Sequence, residues 1–241
     1  VAIDMGTAEG AALIRRLAAE SDVVIENFKV GGLKKYGLDQ ESLRALNPRL
    51  IYCSITGFGQ TGPYAPRAGY DFMIQAMGGL MSVTGEPDEV PGGGPVKVGV
   101  ALVDVMTGLY ATIGVLAALA HRERTGAGQH IDLALLDVSV ATLANQAMNY
   151  LVSGKAPGRM GNAHPNIVPY AVFPTSDGWF ILATGNDTQF RKVWALLGLA
   201  EDERFALNTG RIAHRDELTE TLSAATRQWK RDDLLAALEK I

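Results

Sequence analysis

Residues 22–56 read DVVIENFKVGGLKKYGLDQESLRALNPRLIYCSIT. Two short apolar runs, at 22–28 and 49–56, are separated by a glycine-opened turn and a short helical pattern over 41–47 that stops at Asn47-Pro48. Near-continuous apolar strands joined by helices are typical of βαβ units, whose parallel strands are covered on both faces. The stretch therefore predicts an α/β fold with a parallel sheet.

The alternation of strand and helix continues on both sides of this stretch. VAIDM (1–5) predicts a strand, and Thr7 predicts the cap of a helix that runs through Ala19. Further along, the pattern predicts helices over 72–83 and from about 102 to 124, with Gly126 as the C-cap of the second, and then a short strand and a helix within 130–152.

The character of the chain changes after SGKAPGRMGNAHP (153–165). YAVFPTSDGWFILATG (170–185) predicts a hairpin around a Ser-Asp-Gly turn. Amphipathic helical patterns follow at about 187–197, 211–224 and 228–240. We expect a large domain over 1–160 and a smaller α/β domain over 161–241, with parts of both outside this sequence, since the chain opens in a strand-like run and closes in a helical one.

Composition excludes several classes of partner. The net charge is −4, with no basic block, so nucleic acid is not an expected partner. The single cysteine, Cys53, lies in an apolar run and permits no disulfide within the chain, which fits a reducing compartment. We expect a cytoplasmic location; a targeting segment preceding Val1 would lie outside this sequence.

The segment 98–120 is long enough to cross a bilayer, and its one formal charge is Asp104. An aspartate in mid-span costs roughly 2.5–3.5 kcal/mol on insertion scales, and three glycines dilute the hydropathy. We therefore expect a buried helix and no membrane partner.

The sequence does not support the common motifs of nucleotide-binding, metal-binding or serine-hydrolase sites. GFGQTG (57–62) matches G-x-G-x-x-G, but Pro63 and Pro66 block the helix that a dinucleotide site requires, so its glycines predict tight turns or a close approach of the backbone to a ligand. PGGGP (91–95) lacks the Lys-Ser/Thr of a phosphate-binding loop, and no G-x-S-x-G elbow of a serine hydrolase is present. The four histidines lack metal-ligand spacing, so we expect no metal site.

Asp104 is the charged residue in VGVALVDVMTGLY (98–110). A carboxylate in an apolar run is costly unless it is paired, lies at a cleft or takes part in chemistry. Thr107 and Gly108 follow within one turn and leave room for a large substrate. From the residues alone, a capped or paired helix aspartate and a covalent nucleophile both remain open.

Four blocks together are more specific. DVVIENFKVGGLKKYGLD, LIYCSITGFGQTGPYAPRAGYD, VGVALVDVMTGLYA and RTGAGQHIDLALLD, in this order, resemble the family III CoA-transferases, the carnitine and bile-acid CoA-transferase family, over essentially the whole chain. Within that family, IYCSITGFGQTGP and NAHPNIVPYAVFPTSDGWF are most similar to the succinyl-CoA-dependent dicarboxylate enzymes of the succinate–hydroxymethylglutarate type.

This resemblance implies a fold and an activity. The fold would be a Rossmann-like large domain with a parallel sheet and a smaller α/β domain, in a homodimer of two chains interlocked like rings. The enzyme would move CoA from an acyl-CoA such as succinyl-CoA to a small carboxylic acid, with CoA as substrate and no tightly bound cofactor. The aspartate of the D-x-x-T-G stretch, here Asp104, would form an aspartyl–acyl anhydride and then an aspartyl-CoA thioester.

The resemblance also implies a CoA site. Asn27 and Phe28 match the adenine and ribose contacts, with Lys29 beside them, and Lys35 stands where relatives often place an arginine for the CoA phosphates. The second CoA segment is Arg67, Ala68, Gly69, Tyr70 and Asp71, with Arg67 as a phosphate partner. Structural alternatives are a core position for Phe28, surface positions for Lys29 and Lys35, and a helix N-cap for Asp71.

Two other functions compete with transfer. The α-methylacyl-CoA racemases share the fold, and a histidine just before the aspartate of the second CoA segment forms their acid/base pair with an aspartate. This chain has Tyr70 at that position, which favours transfer. A non-catalytic CoA-binding subunit is the other alternative, and the intact D-x-x-T-G stretch argues against it. The glycine loop near the family's active site is not recognisable in this sequence.

Overall fold

The computed structural model describes residues 1–241 and divides them into two compact units. The larger unit comprises Val1–Gly85 and Gly94–Arg159, and the smaller unit comprises Glu86–Gly93 and Met160–Ile241.

The larger unit is built on a sheet of three parallel strands, so the parallel α/β prediction is confirmed. The strands are β1 (Val23–Glu26), β2 (Ile51–Thr56) and β3 (His130–Ala134), in the spatial order β1-β2-β3. Cys53 pairs with Ile25 on one side and Ile131 on the other, at the buried centre of the sheet.

Six helices surround this sheet. Thr7 caps the first helix as predicted, since its Oγ1 accepts a hydrogen bond of 3.0 Å from the Gly10 amide. The predicted end of the long helix is also found at Gly126, which has a positive φ of 76° and donates to the Arg122 carbonyl. The helices are α1 (Ala8–Ala19), α2 (Gln40–Leu46), α3 (Asp71–Met77), α4 (Leu102–Thr125), α5 (Leu135–Thr142) and α6 (Asn145–Ser153).

The predicted strand over residues 1–5 is wrong. This segment finds no neighbouring strand to supply a ladder of hydrogen bonds, and it forms a turn instead. Asp4 organises that turn, because its carboxylate accepts from the Gly6 amide and its carbonyl accepts from Thr7.

Two predicted helices are shorter than expected because the backbone leaves helical geometry. The helix over 72–83 ends at Met77, before Gly79 with its φ of 90°, and a single 3-10 turn follows at Leu80–Ser82. The helical pattern within 130–152 is interrupted at Ala144, where φ is 46°, and this interruption separates α5 from α6.

Helix α4 packs one face on the sheet and leaves the other exposed, so the prediction of a fully buried helix is only partly right. Val103, Thr107, Ala111, Ala118 and Arg122 form its buried face. The opposite, exposed face carries Val105, Leu109, Ile113 and Leu116. By length and composition α4 could cross a membrane, but core helices of soluble proteins pass the same test.

The two strands of the smaller unit form the predicted hairpin. Strands β4 (Tyr170–Pro174) and β5 (Trp179–Ala183) pair in antiparallel register around the predicted turn. The pattern over 211–224 becomes two helices that meet at His214. The helices of this unit are α7 (Asp187–Leu196), α8 (Asn208–Ala213), α9 (Arg215–Thr226) and α10 (Arg231–Leu238), and 3-10 turns lie at Glu203–Phe205 here and at Lys34–Tyr36 in the larger unit.

An arginine lies inside the smaller unit. The side chain of Arg211 is 1% exposed and packs over the Phe190 ring at 4.3 Å. Its guanidinium donates to the carbonyls of Val168 at 2.6 Å and Phe205 at 2.9 Å, and to Asp187 Oδ1 at 2.7 Å. A buried charge is tolerated because these acceptors replace its water.

Candidate active site

A pocket of about 700 Å³ lies at the carboxyl ends of the parallel strands. Open α/β sheets commonly bind ligands at this edge, and the volume is typical of a small-molecule site. Segments that follow β1 and β2 meet the first turns of α4 there. The lining residues are Asn27–Val30, Ile55–Gly57, Ala65, Arg67–Tyr70, Asp104, Thr107, Gly108 and Leu135.

Helix α4 presents Asp104 to this pocket from its first turn. The Asp104 carboxylate has no hydrogen bond or ion pair within the chain. Thr107 is occupied in the helix, since its hydroxyl donates to the Val103 carbonyl at 2.7 Å, and Gly108 adds no side chain. The pocket therefore contains one free carboxylate with open space beside it.

The surroundings make this carboxylate more basic. Partial burial, and then the negative charge of Asp71, raise the pKa of the Asp104 carboxyl. A more basic carboxylate is a better nucleophile once it is ionised. The arrangement suits covalent chemistry better than a structural role, which would supply a hydrogen-bonding partner.

Asp71 supplies the negative charge that contributes to the raised pKa of Asp104. It does not line the pocket; its Oδ1 accepts from the backbone amides of Val103 at 2.8 Å and Asp104 at 3.4 Å. Tyr70 is the N-cap of α3, the helix that begins at Asp71. The Asp71 carboxylate instead accepts from amides in the first turn of α4, a helix that lies about 30 residues further along the chain. The alternative of a helix N-cap is therefore wrong for Asp71.

Most of the residues predicted for CoA binding lie together around the pocket. Phe28 is 45% exposed at its edge, so the alternative of a core position is wrong. Lys35 lies outside the lining, exposed on the 3-10 turn, with its ammonium 4.7 Å from the Tyr36 ring. The predicted residues that share the pocket with Asp104 are Asn27, Phe28, Lys29, Arg67, Ala68, Gly69 and Tyr70.

Arg67 is held by aromatic rings. Its guanidinium carbon lies 4.6 Å from the centre of the Tyr64 ring and 5.9 Å from that of Phe58. Such stacking orients a guanidinium while leaving its N–H groups available to an anion. Arg67 and Lys29 give the pocket two cations that suit phosphate groups.

Sequence reasoning missed the role of Gly57. A Cβ built on Gly57 would lie 2.5 Å from the Gly69 Cα, so the two backbones touch where both residues line the pocket. Neither position has room for a side chain. The glycines of GFGQTG predicted tight turns or a close approach of the backbone to a ligand, whereas Gly57 approaches the backbone of Gly69.

Replacing Gly108 with alanine tests how much space the pocket needs. Nothing lies within 4 Å of the added Cβ, so we expect Gly108→Ala to stabilise α4 by roughly 0.5–1 kcal/mol through higher helix propensity. The same methyl group would enter the pocket one turn from Asp104, so we expect kcat/KM for an acyl-CoA, the substrate that the sequence resemblance implies, to fall about tenfold or more. Thermal unfolding and steady-state kinetics of the full-length protein measure the two effects. Gly114→Ala, on α4 but outside the pocket lining, is the control, and an unchanged kcat/KM in Gly108→Ala would contradict the prediction.

The geometry defines an α/β protein whose pocket offers a free carboxylate and two cations to an anionic substrate. The whole chain, residues 1–241, matches the model of CoA-transferase family III, and the chain belongs to that family. The family predicted from the four sequence blocks is therefore confirmed.

Named relatives agree with this assignment. The chain is 59% identical to a succinate–glutarate CoA-transferase of Agrobacterium fabrum, over 99% of this chain and 60% of the relative. It is 44% identical to a succinyl-CoA:glutarate CoA-transferase of Mus musculus, over 93% of this chain and 51% of the relative. The chain thus spans roughly half to three fifths of the length of these relatives.

Solved structures share the fold. A crystal structure of a CAIB/BAIF family protein from Brucella suis is 64% identical, with a TM-score of 0.80 over 99% of this chain and 63% of that one. A crystal structure of Rv3272 from Mycobacterium tuberculosis is 32% identical, with a TM-score of 0.86 over 100% of this chain and 64% of that one.

Proposed function

We propose that the full-length protein transfers CoA from succinyl-CoA to a short dicarboxylic acid, with glutarate as the first acceptor to test, through covalent intermediates on Asp104. One observation carries the proposal. The unpaired carboxylate of Asp104 faces a pocket that also holds Lys29 and Arg67. The names of the relatives from Agrobacterium fabrum and Mus musculus support the choice of donor and acceptor.

The reaction balances as two pairs of acyl exchanges. Asp104 attacks the succinyl thioester carbonyl, which forms a mixed anhydride and releases CoA thiolate. The thiolate attacks the aspartyl carbonyl of the anhydride, which releases succinate and leaves Asp104 as a CoA thioester. The acceptor carboxylate then displaces the thiolate to form a second anhydride. The thiolate attacks its acceptor-derived carbonyl, which gives the new acyl-CoA and restores the Asp104 carboxylate.

The pocket residues supply binding and orientation for these steps. Lys29 and Arg67 would pair with CoA phosphates, and Asn27 and Phe28 would contact the adenosine end. Retaining the thiolate beside Asp104 makes each return attack effectively intramolecular. The small profile of Gly108 admits the acyl group to the carboxylate.

Three further features belong to the proposal. By its resemblance to the family, the protein would work as an interlocked homodimer with a Rossmann-like large domain, and it would take CoA as substrate without a tightly bound cofactor. The single free cysteine supports a cytoplasmic location.

The test follows oxygen from acceptor to donor acid. In this mechanism the bridging oxygen of the acceptor anhydride passes from glutarate to Asp104, and in a later cycle the bridging oxygen of the succinyl anhydride passes from Asp104 to succinate. We expect the full-length protein, supplied with succinyl-CoA and ¹⁸O-labelled glutarate, to form glutaryl-CoA. We also expect mass spectrometry to find no ¹⁸O in succinate from the first turnover but ¹⁸O in the peptide that holds Asp104, and succinate from later turnovers to approach one ¹⁸O atom per molecule.

Other outcomes distinguish the alternatives. Glutaryl-CoA formed with ¹⁸O in succinate from the first turnover, and with no ¹⁸O in the peptide that holds Asp104, would indicate direct attack of glutarate on succinyl-CoA and exclude the covalent route. Deuterium incorporation next to the thioester carbonyl, without transfer, would indicate a racemase, although Tyr70 supplies a phenol rather than an imidazole there. Measurable CoA binding with neither reaction would indicate a non-catalytic subunit.

A further inference from the structure

The segment that leads into α4 is held by a buried glutamine. Gln75 lies on α3, is 0% exposed, and contacts two different parts of the chain. Its Nε2 donates to Asp71 Oδ2 at 2.7 Å, and its Oε1 accepts from the Val98 amide at 2.9 Å. A carboxylate can only accept and an amide N–H can only donate, so the partners fix the orientation of the side-chain amide.

Asp71 continues this connection to the residue that carries the chemistry. Its other oxygen, Oδ1, accepts from the Val103 amide at 2.8 Å, and the Asp104 amide lies 3.4 Å away. The result is a chain of hydrogen bonds from the Val98 amide through Gln75 and Asp71 to the first turn of α4. Both ends of the segment 98–103 are thereby attached to α3.

The helix has no side-chain cap of its own, and the hydrogen bonds from Lys97 Nζ to the carbonyls of Val98 at 3.0 Å and Gly99 at 3.4 Å stay within the segment that leads into it. Ala101 is the N-cap of α4 and offers no side-chain acceptor. Of the residues between the two attachment points, Gly99, Val100 and Ala101 are exposed and Leu102 is half-buried, so they contribute little packing to hold the segment in place. The position of Asp104 therefore depends on α3.

We infer that Gln75 is a positioning residue for Asp104, acting through Asp71 and the segment 98–103. This inference rests on the proposed function, since it assigns Gln75 a part in the same covalent reaction. Gln75 does not line the pocket, so its effect on substrate binding should be small. A displacement of the nucleophile by about 1 Å can reduce the rate roughly 100-fold, which makes kcat the sensitive quantity.

The first test removes both hydrogen bonds without changing the length of the side chain. We expect Gln75→Met in the full-length protein to lower kcat roughly 10- to 100-fold, while KM for succinyl-CoA and Kd for CoA stay within about threefold. Gln129→Met, at an exposed position before β3, is the matched control and should leave kcat unchanged. A Gln75→Met protein with lowered melting temperature but kcat within about twofold of wild type would show a purely structural role and overturn the inference.

The second test exchanges the donor and the acceptor of the hydrogen bond between Gln75 and Asp71. Gln75→Glu keeps the acceptor for Val98 but sets two carboxylates against each other, so it should lose activity. In the double variant D71N/Q75E, the new amide on position 71 can donate to the new carboxylate on position 75 and still accept from Val103. Every hydrogen bond can then re-form with the charge moved. We expect the double variant to recover most of the activity lost in Gln75→Glu. A double variant with no higher activity than Gln75→Glu would overturn the inference that Gln75 acts through Asp71.

A measurement without substrate separates this inference from the proposed function. We expect Gln75→Met to speed amide hydrogen exchange in peptides that cover residues 98–105, while exchange in β2 stays unchanged. Unchanged exchange over 98–105 would overturn the inference. Failure of the wild-type protein to form glutaryl-CoA would instead count against the proposed function. The hydrogen-exchange result would still show whether Gln75 holds the segment 98–103 in place.

Discussion

Asp104→Asn in the full-length protein should lose at least about 10³-fold in kcat while still binding CoA. The amide keeps the size of the side chain but cannot attack a thioester, so neither anhydride nor aspartyl-CoA can form. Lys29 and Arg67 remain in the pocket, and Kd for CoA should change little. Intact-mass spectrometry after mixing with succinyl-CoA measures the effect: the wild-type protein should gain the mass of an adduct, and the variant should not.

The same substitution should not destabilise the fold at neutral pH. Because burial and Asp71 raise the pKa of Asp104 in the folded state, ionising this group favours the unfolded chain. Its contribution to stability is present below the pKa of the unfolded chain, about 3.9, and is lost as the pH rises through the folded-state value. We therefore expect Asp104→Asn to melt at the same or a higher temperature than wild type at pH 7, with the difference shrinking toward pH 4.

Calorimetry at several pH values checks this expectation. Asp137→Asn, at an exposed position in the first turn of α5, is the matched control and should not gain stability with rising pH. An Asp104→Asn variant that retains a tenth of the activity would remove Asp104 from the role of nucleophile. An Asp104→Asn variant that melts well below wild type at pH 7 would contradict the argument from the raised pKa of Asp104, but it would not contradict the role of Asp104 as nucleophile.

Arg211→Met should have the largest effect on stability, with a loss of roughly 3–5 kcal/mol from the free energy of unfolding of the smaller unit. Methionine fills much of the space but donates no hydrogen bond. The carbonyls of Val168 and Phe205 would then be buried without their partner, and Asp187 would lose its ion pair. The stacking of the guanidinium on Phe190 would be lost as well.

Tryptophan fluorescence reports this unfolding selectively. All three tryptophans, Trp179, Trp194 and Trp229, lie in the smaller unit, so the signal follows that unit rather than the site around Asp104. Urea titration should show an earlier fluorescence transition in Arg211→Met, and a separate probe is needed for the larger unit because two units need not unfold together. Arg191→Met, at an exposed position on α7, serves as control. Equal midpoints for Arg211→Met and the control would contradict the predicted role of Arg211.

Local patterns predicted the elements whose causes are local. The apolar runs of β1 and β2, the cap at Thr7 and the glycine after α4 all act within a few residues, and the structure has them where the sequence indicated. The strand predicted over residues 1–5 failed because a strand also needs a neighbour, which no pattern within five residues can supply.

The site also has features that local sequence patterns could predict and features that depend on distant contacts. Asp104 was identified from its apolar surroundings and from the order of four sequence blocks. The contacts of Asp71 with Val103 and of Gln75 with Val98 join residues 32 and 23 positions apart, and they depend on how α3 packs beside α4. Sequence reasoning could name Asp71, but it could not assign its carboxylate to another helix.

The contact between Gly57 and Gly69 has a consequence for how this pocket can change over time. Where main chain meets main chain, there is no side chain to exchange, so point mutation cannot gradually enlarge or reduce that wall. Adaptation to a longer or bulkier acid must occur at positions whose side chains point into open space. Tyr70, which lines the pocket and is 74% exposed, is one such position, and a library built there varies the pocket while leaving the contact between Gly57 and Gly69 intact.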